Sequence, residues 1–224
     1  MCAYILIAVA SYLLGSIPFG FLVAKTKGVD IRKVGSCNIG ATNVFRTLGK
    51  GPGILTFVLD ALKGFVSAFW FPSLAVMILG GEVYANMKLL GGLCAVVGHT
   101  WPLFLGFKGG KGVATSAGML LGIVPSAVGI AFAVWVLFFL LTRYVSVASI
   151  AAAIALGSLV WIPRFYIGIE LPSAILLSLL AIAVVLRHRS NICRLAKGRE
   201  SRFSFTKKQK VAEEARRASW KDAD

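Results

Sequence analysis

Apolar residues in this chain come in runs rather than at strand or surface-helix spacing. Nearly uncharged stretches cover 4–24, 53–72, 87–105, 113–125, 126–142, 146–162 and 171–187. Short segments rich in Gly, Asn, Ser, Lys and Arg separate several of them. A helix that is apolar all round leaves no face for water, and about 20 such residues span a bilayer. The pattern predicts an all-α integral membrane protein of about seven transmembrane helices. Residues 113–142 resist a simple reading, because as one helix they would run roughly 45 Å against a hydrocarbon core of about 30 Å. Gly122, Pro125 and Gly129 interrupt their middle, so two crossings joined by a tight break are expected there.

Composition agrees with that reading. A hydrophobic fraction of 58%, mean hydropathy of +0.82 and 15% charged residues exclude an ordinary soluble domain. Charge fixes the orientation. Of 24 Lys and Arg, 21 fall at 25–50, at Lys108, Lys111 and Arg143, and from Arg187 onward; only Lys88 and Arg164 fall opposite, with Lys63 inside a run. The positive-inside rule then predicts the N-terminus outside and the C-terminus cytoplasmic, which requires an odd number of spans. The first run lacks a basic leader and a small-residue cleavage site, so it is not expected to be a cleavable signal. Cys2, Cys37, Cys94 and Cys193 are scattered, without CxxC or metal spacing, and neither a disulfide, a metal nor a cofactor is expected. The chain divides into a membrane domain, 1–200, and a basic cytoplasmic tail, 201–224, containing Phe203, Phe205 and Trp220. The net charge is +15, half of the 24 basic residues lie after the last run, from Arg187 onward, and a juxtamembrane polybasic segment suits anionic membrane lipid better than nucleic acid.

Three polar clusters carry the chemistry, all on the side assigned to the cytoplasm. The first crowds Ser36, Asn38, Thr42, Asn43 and Arg46 among small residues at the lipid boundary; Arg46 suits bidentate phosphate recognition. A polar turn would account for Gly35 and Gly40 but not for that crowding. The second is Gly106-Phe107-Lys108-Gly109-Gly110-Lys111-Gly112, preceded by Gly98-His99-Thr100-Trp101-Pro102. Glycines let backbone N–H groups converge on an anion, lysines add charge, and a helix start near 112 adds its dipole. A nucleotide-binding P-loop is excluded, since Leu105 and Gly112 occupy positions that demand Gly and Ser or Thr. In the third, Arg187-His188-Arg189-Ser190-Asn191, a continuing helix would place His188 and Asn191 on one face, with His188 able to donate to phosphate or move a proton. Asp60 and Lys63, one turn apart inside a span, are expected either to pair structurally or to line the site.

These motifs follow one another as Gly-Ser-x-Pro-x-Gly, Gly-Ser-x-Asn-x-Gly-Ala-Thr-Asn-x-x-Arg, Gly-His-x-x-Pro…Phe-Lys-Gly-Gly-Lys-Gly-Val-Ala-Thr and His-x-x-Asn-Ile-x-Arg-Leu-x-x-Gly-x-Glu. From about residue 11 to 200 the chain thereby resembles the bacterial acyl-phosphate:glycerol-3-phosphate acyltransferases. The resemblance implies acyl transfer from acyl phosphate to the sn-1 hydroxyl of glycerol 3-phosphate, giving lysophosphatidic acid and phosphate. It also implies a seven-span protein of the bacterial cytoplasmic (inner) membrane with its site on the cytoplasmic face. By motif position, Ser36, Asn38, Arg46, Lys111, His188 and Asn191 become the catalytic set. Thr42, Asn43, Lys108, Gly109, Gly110 and Ser149 (or Ser146 in its place) become substrate-binding residues. An enzyme that makes acyl phosphate is a candidate partner in the membrane.

One departure stands out: Cys37 occupies a position where the family commonly has glycine, and would strain the turn if φ there is positive. An acyl phosphate is already activated, so no covalent intermediate is required; the enzyme must hold two phosphate-bearing substrates together against their repulsion. The His-x4-Asp pair of acyl-CoA-dependent enzymes is absent, with Phe104 and Cys193 at those positions. The rival reading is a membrane transporter of phosphate or a phosphorylated metabolite, which clusters confined to one face disfavour.

Overall fold

The structure, a computed structural model, describes residues 1–162 and 171–203, and no strand occurs among them. Arg164 and the tail from 204 on, with Phe205 and Trp220, lie outside the described residues. Every apolar run folds as helix. The first is split into α1 (Cys2–Ser16) and α2 (Phe19–Lys25), because Pro18 holds Ile17 extended at φ −64° and ψ 116°. A short α3 (Ala41–Leu48) follows the first polar loop. The second run is longer than the sequence suggests: α4 (Lys50–Leu79) has 30 residues and ends where Gly80 turns to φ 76°.

Next come α5 (Ala85–Thr100), a 3₁₀ turn (Leu103–Leu105) and α6 (Val113–Ile123). The expected break in 113–142 occurs at Val124, and α7 (Pro125–Thr142) opens with proline at its first position, where a missing N–H does no harm. The chain continues through α8 (Val145–Leu159), α9 (Leu171–Arg187) and α10 (Arg189–Ala196).

Length separates these helices into two kinds. Cys2–Lys25, Lys50–Leu79, Ala85–Leu105 and Pro125–Thr142 are long and apolar enough to cross a membrane. Ala174–Arg187 with Arg189–Ala196, bent by 48°, makes a fifth if taken as one span. The 11 residues of α6 and 15 of α8 are apolar but reach only about 16 and 22 Å. Among the described residues each of the seven apolar runs is helical, and four or five of those helical segments are long enough to be spans.

The chain forms two compact units, Met1–Gly129 and Ile130–Asp224. In the first, α4 is the hub against which α1, α3, α5 and α6 pack. Its contact with α6 is backbone-close: a Cβ at Gly64 would collide with the Thr115 carbonyl, and one at Gly118 with that of Ala61. Between helices in lipid, small residues permit this approach, and dispersion rather than the hydrophobic effect rewards it. Ile7, Ala75 and Met87 pack at one end of this unit. Ala24, Ile31, Ile39 and Val44 pack at the other, beneath the first polar loop. In the second unit α8 lies along α9, and α10 continues from α9 at a bend of 48°.

Candidate active site

The loop from Lys27 to Gly40 has no regular ladder, so its polar groups need other partners. Asn43, in the first turn of α3, provides four of them. Its Oδ1 accepts from the Ser36 amide at 2.9 Å, and its Nδ2 donates to the carbonyls of Asn38 (2.9 Å), Val34 (3.0 Å) and Ile31 (3.2 Å). Asn43, expected among the substrate-binding residues, is buried, and both its side-chain oxygen and nitrogen are hydrogen-bonded within the loop. Asn38 shapes the turn too, its Oδ1 accepting from the Gly40 amide at 2.8 Å. Cys37 does adopt the positive φ, at 57°. Ser36 is exposed at the loop surface, while Thr42 and Arg46 are half-buried on α3. Asp30 takes Arg32 in a two-pronged pair at 2.8 and 2.9 Å, and that hydrogen bonding lowers its carboxyl to about 2.

The second loop joins the end of α5 to the start of α6. Gly106 (φ 59°), Phe107 (φ 62°) and Gly112 (φ 80°) turn it in the left-handed region. The amides of Gly109 and Gly110 do not point outward: they donate to the carbonyls of Thr100 (3.2 Å) and His99 (3.1 Å), folding the loop over the end of α5. The first-turn amides of α6, which have no intrahelical partner, are the donors this loop offers an anion. Lys108 is exposed and Lys111 half-buried beside them. Leu105 packs on the Ile31, Ile39 and Val44 cluster, so the two loops are neighbours at one end of the first unit.

Beneath both loops, Asp60 and Lys63 form the structural pair that was one of their two expected roles: Nζ lies 2.9 Å from Asp60 Oδ1. Lys63 also donates to the Ile17 carbonyl at 3.0 Å, and His99 Nδ1 faces Asp60 Oδ1 at 3.4 Å.

The third cluster lies in the second unit. The continuous helix expected there is broken: His188 caps α10 at φ −92° and ψ 6°, and the axis turns by 48°. His188 and Asn191 are nevertheless both buried. The His188 Nδ1–H donates to the Val184 carbonyl at 2.7 Å, which leaves the lone pair of the neutral ring on Nε2. Asn191 Nδ2 donates to Glu200 Oε1 at 2.7 Å, as does the Ser146 hydroxyl at 3.0 Å, and Arg194 Nε donates to Oε2 at 2.8 Å. Burial opposes the Glu200 charge, but hydrogen bonds from Asn191, Arg194 and Ser146 outweigh it and hold the carboxyl below its ordinary value. Ser149 accepts from the Trp135 indole at 3.2 Å, so both candidate serines have protein partners.

Glu200 is the functional-region residue that sequence reasoning passed over, quoting it in a motif without a role. A signal existed: it is the lone carboxylate between Arg187 and Lys210, among closely spaced Arg and Lys. A single acid kept in so basic a segment implies a specific partner.

Residues 5–198 match the family model described as glycerol-3-phosphate acyltransferase. The glycerol-3-phosphate acyltransferase of Aquifex aeolicus (strain VF5) is 46% identical over 197 residues, 88% of this chain and 97% of the relative. That of Desulforudis audaxviator (strain MP104C) is 46% identical over 213 residues, 92% and 98% of the two chains. Among solved structures, the glycerol 3-phosphate form of PlsY (YgiH), an integral membrane glycerol 3-phosphate acyltransferase, is similar with a TM-score of 0.79 and 44% identity. The match covers 90% of this chain and 96% of that one. Its lysophosphatidic acid form gives 0.76 and 43%, covering 90% and 95%.

Proposed function

The chain belongs to the glycerol-3-phosphate acyltransferase family, and from that premise we propose that it moves an acyl group from acyl phosphate to the sn-1 hydroxyl of glycerol 3-phosphate. The products are lysophosphatidic acid and inorganic phosphate. The observation that carries the reading is the stacking of the Ser36–Arg46 and Lys108–Lys111 loops at one end of the first unit. That end gathers Arg46, Lys108, Lys111 and the start of α6, enough positive charge to hold two phosphate-bearing substrates against their mutual repulsion.

In this mechanism the acceptor hydroxyl oxygen attacks the acyl carbonyl carbon, the carbonyl carbon–phosphate oxygen bond breaks, and phosphate leaves with both bonding electrons. The hydroxyl proton passes to a substrate phosphate, so transfer is direct and needs no acyl-enzyme. Ser36, Asn38, Arg46, Lys111, His188 and Asn191 handle the reacting groups. Thr42, Lys108 and Ser149 bind substrate, while Gly109 and Gly110 shape the loop under the donor. Asn43 acts by holding the first loop in place. The protein crosses the bacterial inner membrane about seven times, N-terminus outside, with 1–200 as the catalytic domain, its site on the cytoplasmic face, and 201–224 as a basic tail against anionic lipid.

The test is purified protein in detergent, given glycerol 3-phosphate with palmitoyl phosphate, palmitoyl-CoA or palmitoyl-acyl carrier protein in separate reactions. Lysophosphatidic acid is expected from the acyl phosphate alone, and is expected to fall by about 100-fold or more in Lys111→Ala. Product from palmitoyl-CoA instead would overturn the donor assignment, and a trapped acyl-Ser36 would overturn direct transfer.

A further inference from the structure

The mechanism above makes no use of three buried ionisable side chains that lie directly under the glycine–lysine loop. Asp60 and Lys63 come from α4 and His99 from α5, and the side chains are only 2%, 1% and 5% exposed. Buried charges in an apolar span are expensive, and a buried ion pair can often be replaced by apolar residues without loss of stability. Stability alone is therefore a poor reason for building this cluster. Its geometry suggests another.

The His99 ring is the floor of the loop. A Cβ placed on Gly110 would overlap the ring at Nε2, Cε1 and Cδ2, so the Gly110 backbone lies against the imidazole. The Gly110 amide also donates to the His99 carbonyl at 3.1 Å, and the next residue, Lys111, carries the charge the loop offers a phosphate. On the other side of the ring, Nδ1 faces Asp60 Oδ1 at 3.4 Å. Asp60 Oδ1 is in turn 2.9 Å from Lys63 Nζ, which donates to the Ile17 carbonyl at 3.0 Å and lies 5.6 Å from the Phe19 ring. Ile17 is where α1 breaks into α2. The contacts thus run unbroken from the α1–α2 break, through α4, to the loop that carries Lys111.

We propose that Asp60, Lys63 and His99 form a brace of positioning residues: Asp60 fixes the plane and tautomer of His99, and the ring sets the height of the Gly109–Gly110 turn and hence of Lys111. This rests on the reading of 106–112 as an anion-binding loop. A carboxylate orienting an imidazole is the arrangement that supports metal-bound and catalytic histidines, where its loss lowers affinity or activity about 10–100-fold. Here the oriented ring supports backbone instead.

The experiment compares wild type with Asp60→Asn/Lys63→Met, which removes both charges together, and with His99→Phe and His99→Asn. Phe keeps a flat ring under Gly110 without the nitrogen facing Asp60; Asn keeps a donor at that nitrogen's position without the full ring. For each, the melting temperature in detergent, the rise in that temperature given by inorganic phosphate, and KM and kcat for transfer to glycerol 3-phosphate are measured. The brace predicts that the double variant melts near wild type, yet phosphate protection weakens and KM for the phosphate-bearing donor rises about tenfold, with a smaller change in kcat. His99→Phe should show the same split, and His99→Asn should recover part of it.

Wild-type KM and phosphate protection in the double variant would overturn the proposal and leave the cluster a neutralised pair. If the double variant does not fold, His99→Phe decides alone, and an unchanged KM in a folded protein overturns the brace. Should wild type transfer from no donor, the reading of the reaction fails, while phosphate protection compared across the same variants still tests the brace.

Discussion

Cys37 shows how one side chain can oppose its own backbone. At φ 57° its Cβ meets the following carbonyl, a strain of about 1–2 kcal/mol that glycine does not suffer. Glycine gives back roughly 0.5–1 kcal/mol through the freedom of the unfolded chain, so the strain term is the larger. Cys37→Gly is expected to stabilise the protein by about 0.5–1 kcal/mol, seen as a melting temperature raised by about 1–4 °C in detergent. Asn43 argues the converse case. Two amide hydrogens shared among three carbonyls and one acceptor oxygen tie down the whole first loop. Asn43→Asp keeps the shape but points a carboxylate at those carbonyls. A loss of about 2–4 kcal/mol is expected in thermal or denaturant unfolding, with activity failing alongside it. Wild-type stability in that variant would mean the loop is held by something else.

Glu200 ties α10 to α8. Its carboxylate gathers Asn191 and Arg194 from α10 and Ser146 from α8, so a residue beyond the last helix latches two others. Folding lowers the Glu200 pKa below the ordinary 4.5, so the latch contributes fully above that value and is lost as pH falls through the lower, folded value. The melting temperature should therefore drop on going from pH 6 into this acid range. Glu200→Gln should melt lower than wild type at pH 7, by about 1–3 kcal/mol in stability, with a flatter acid limb. A wild-type acid limb in Glu200→Gln would assign the titration to another group. His188 belongs to the same element: with Nδ1 donating to Val184, the ring position is set by the last turn of α9 and its basic atom by the tautomer.

Orientation is a property of the molecule as a whole, and the cysteines report it. Cys2, Cys37 and Cys193 are all exposed. With the N-terminus outside, a membrane-impermeant maleimide applied to intact cells is expected to label the variant retaining only Cys2. It should leave the Cys37-only and Cys193-only variants unlabelled until the cells are opened. The reverse pattern would invert the topology and place the polar loops outside.

Much of this architecture was legible from composition and spacing because a bilayer imposes simple rules. A backbone in hydrocarbon must satisfy itself as helix, so apolar run length predicted where the described residues are helical, and Pro125 located the break between α6 and α7. Crowded polar residues at the ends of those runs marked the loops that cluster in the first unit. Run length did not say that α6 and α8 have only 11 and 15 residues, or that α4 extends to 30, since helix ends answer to caps and packing. Nor did spacing separate residues that face a ligand from residues that hold the loop. In the sequence Asn43 is one more polar residue of the first cluster, and only the fold shows its amide buried against three loop carbonyls. Asp60 and His99 are 39 positions apart, and Ser146 and Glu200 are 54 apart. Such partnerships depend on how helices pack against one another, and that packing follows from close backbone contacts such as Gly64 on Thr115 rather than from any local pattern.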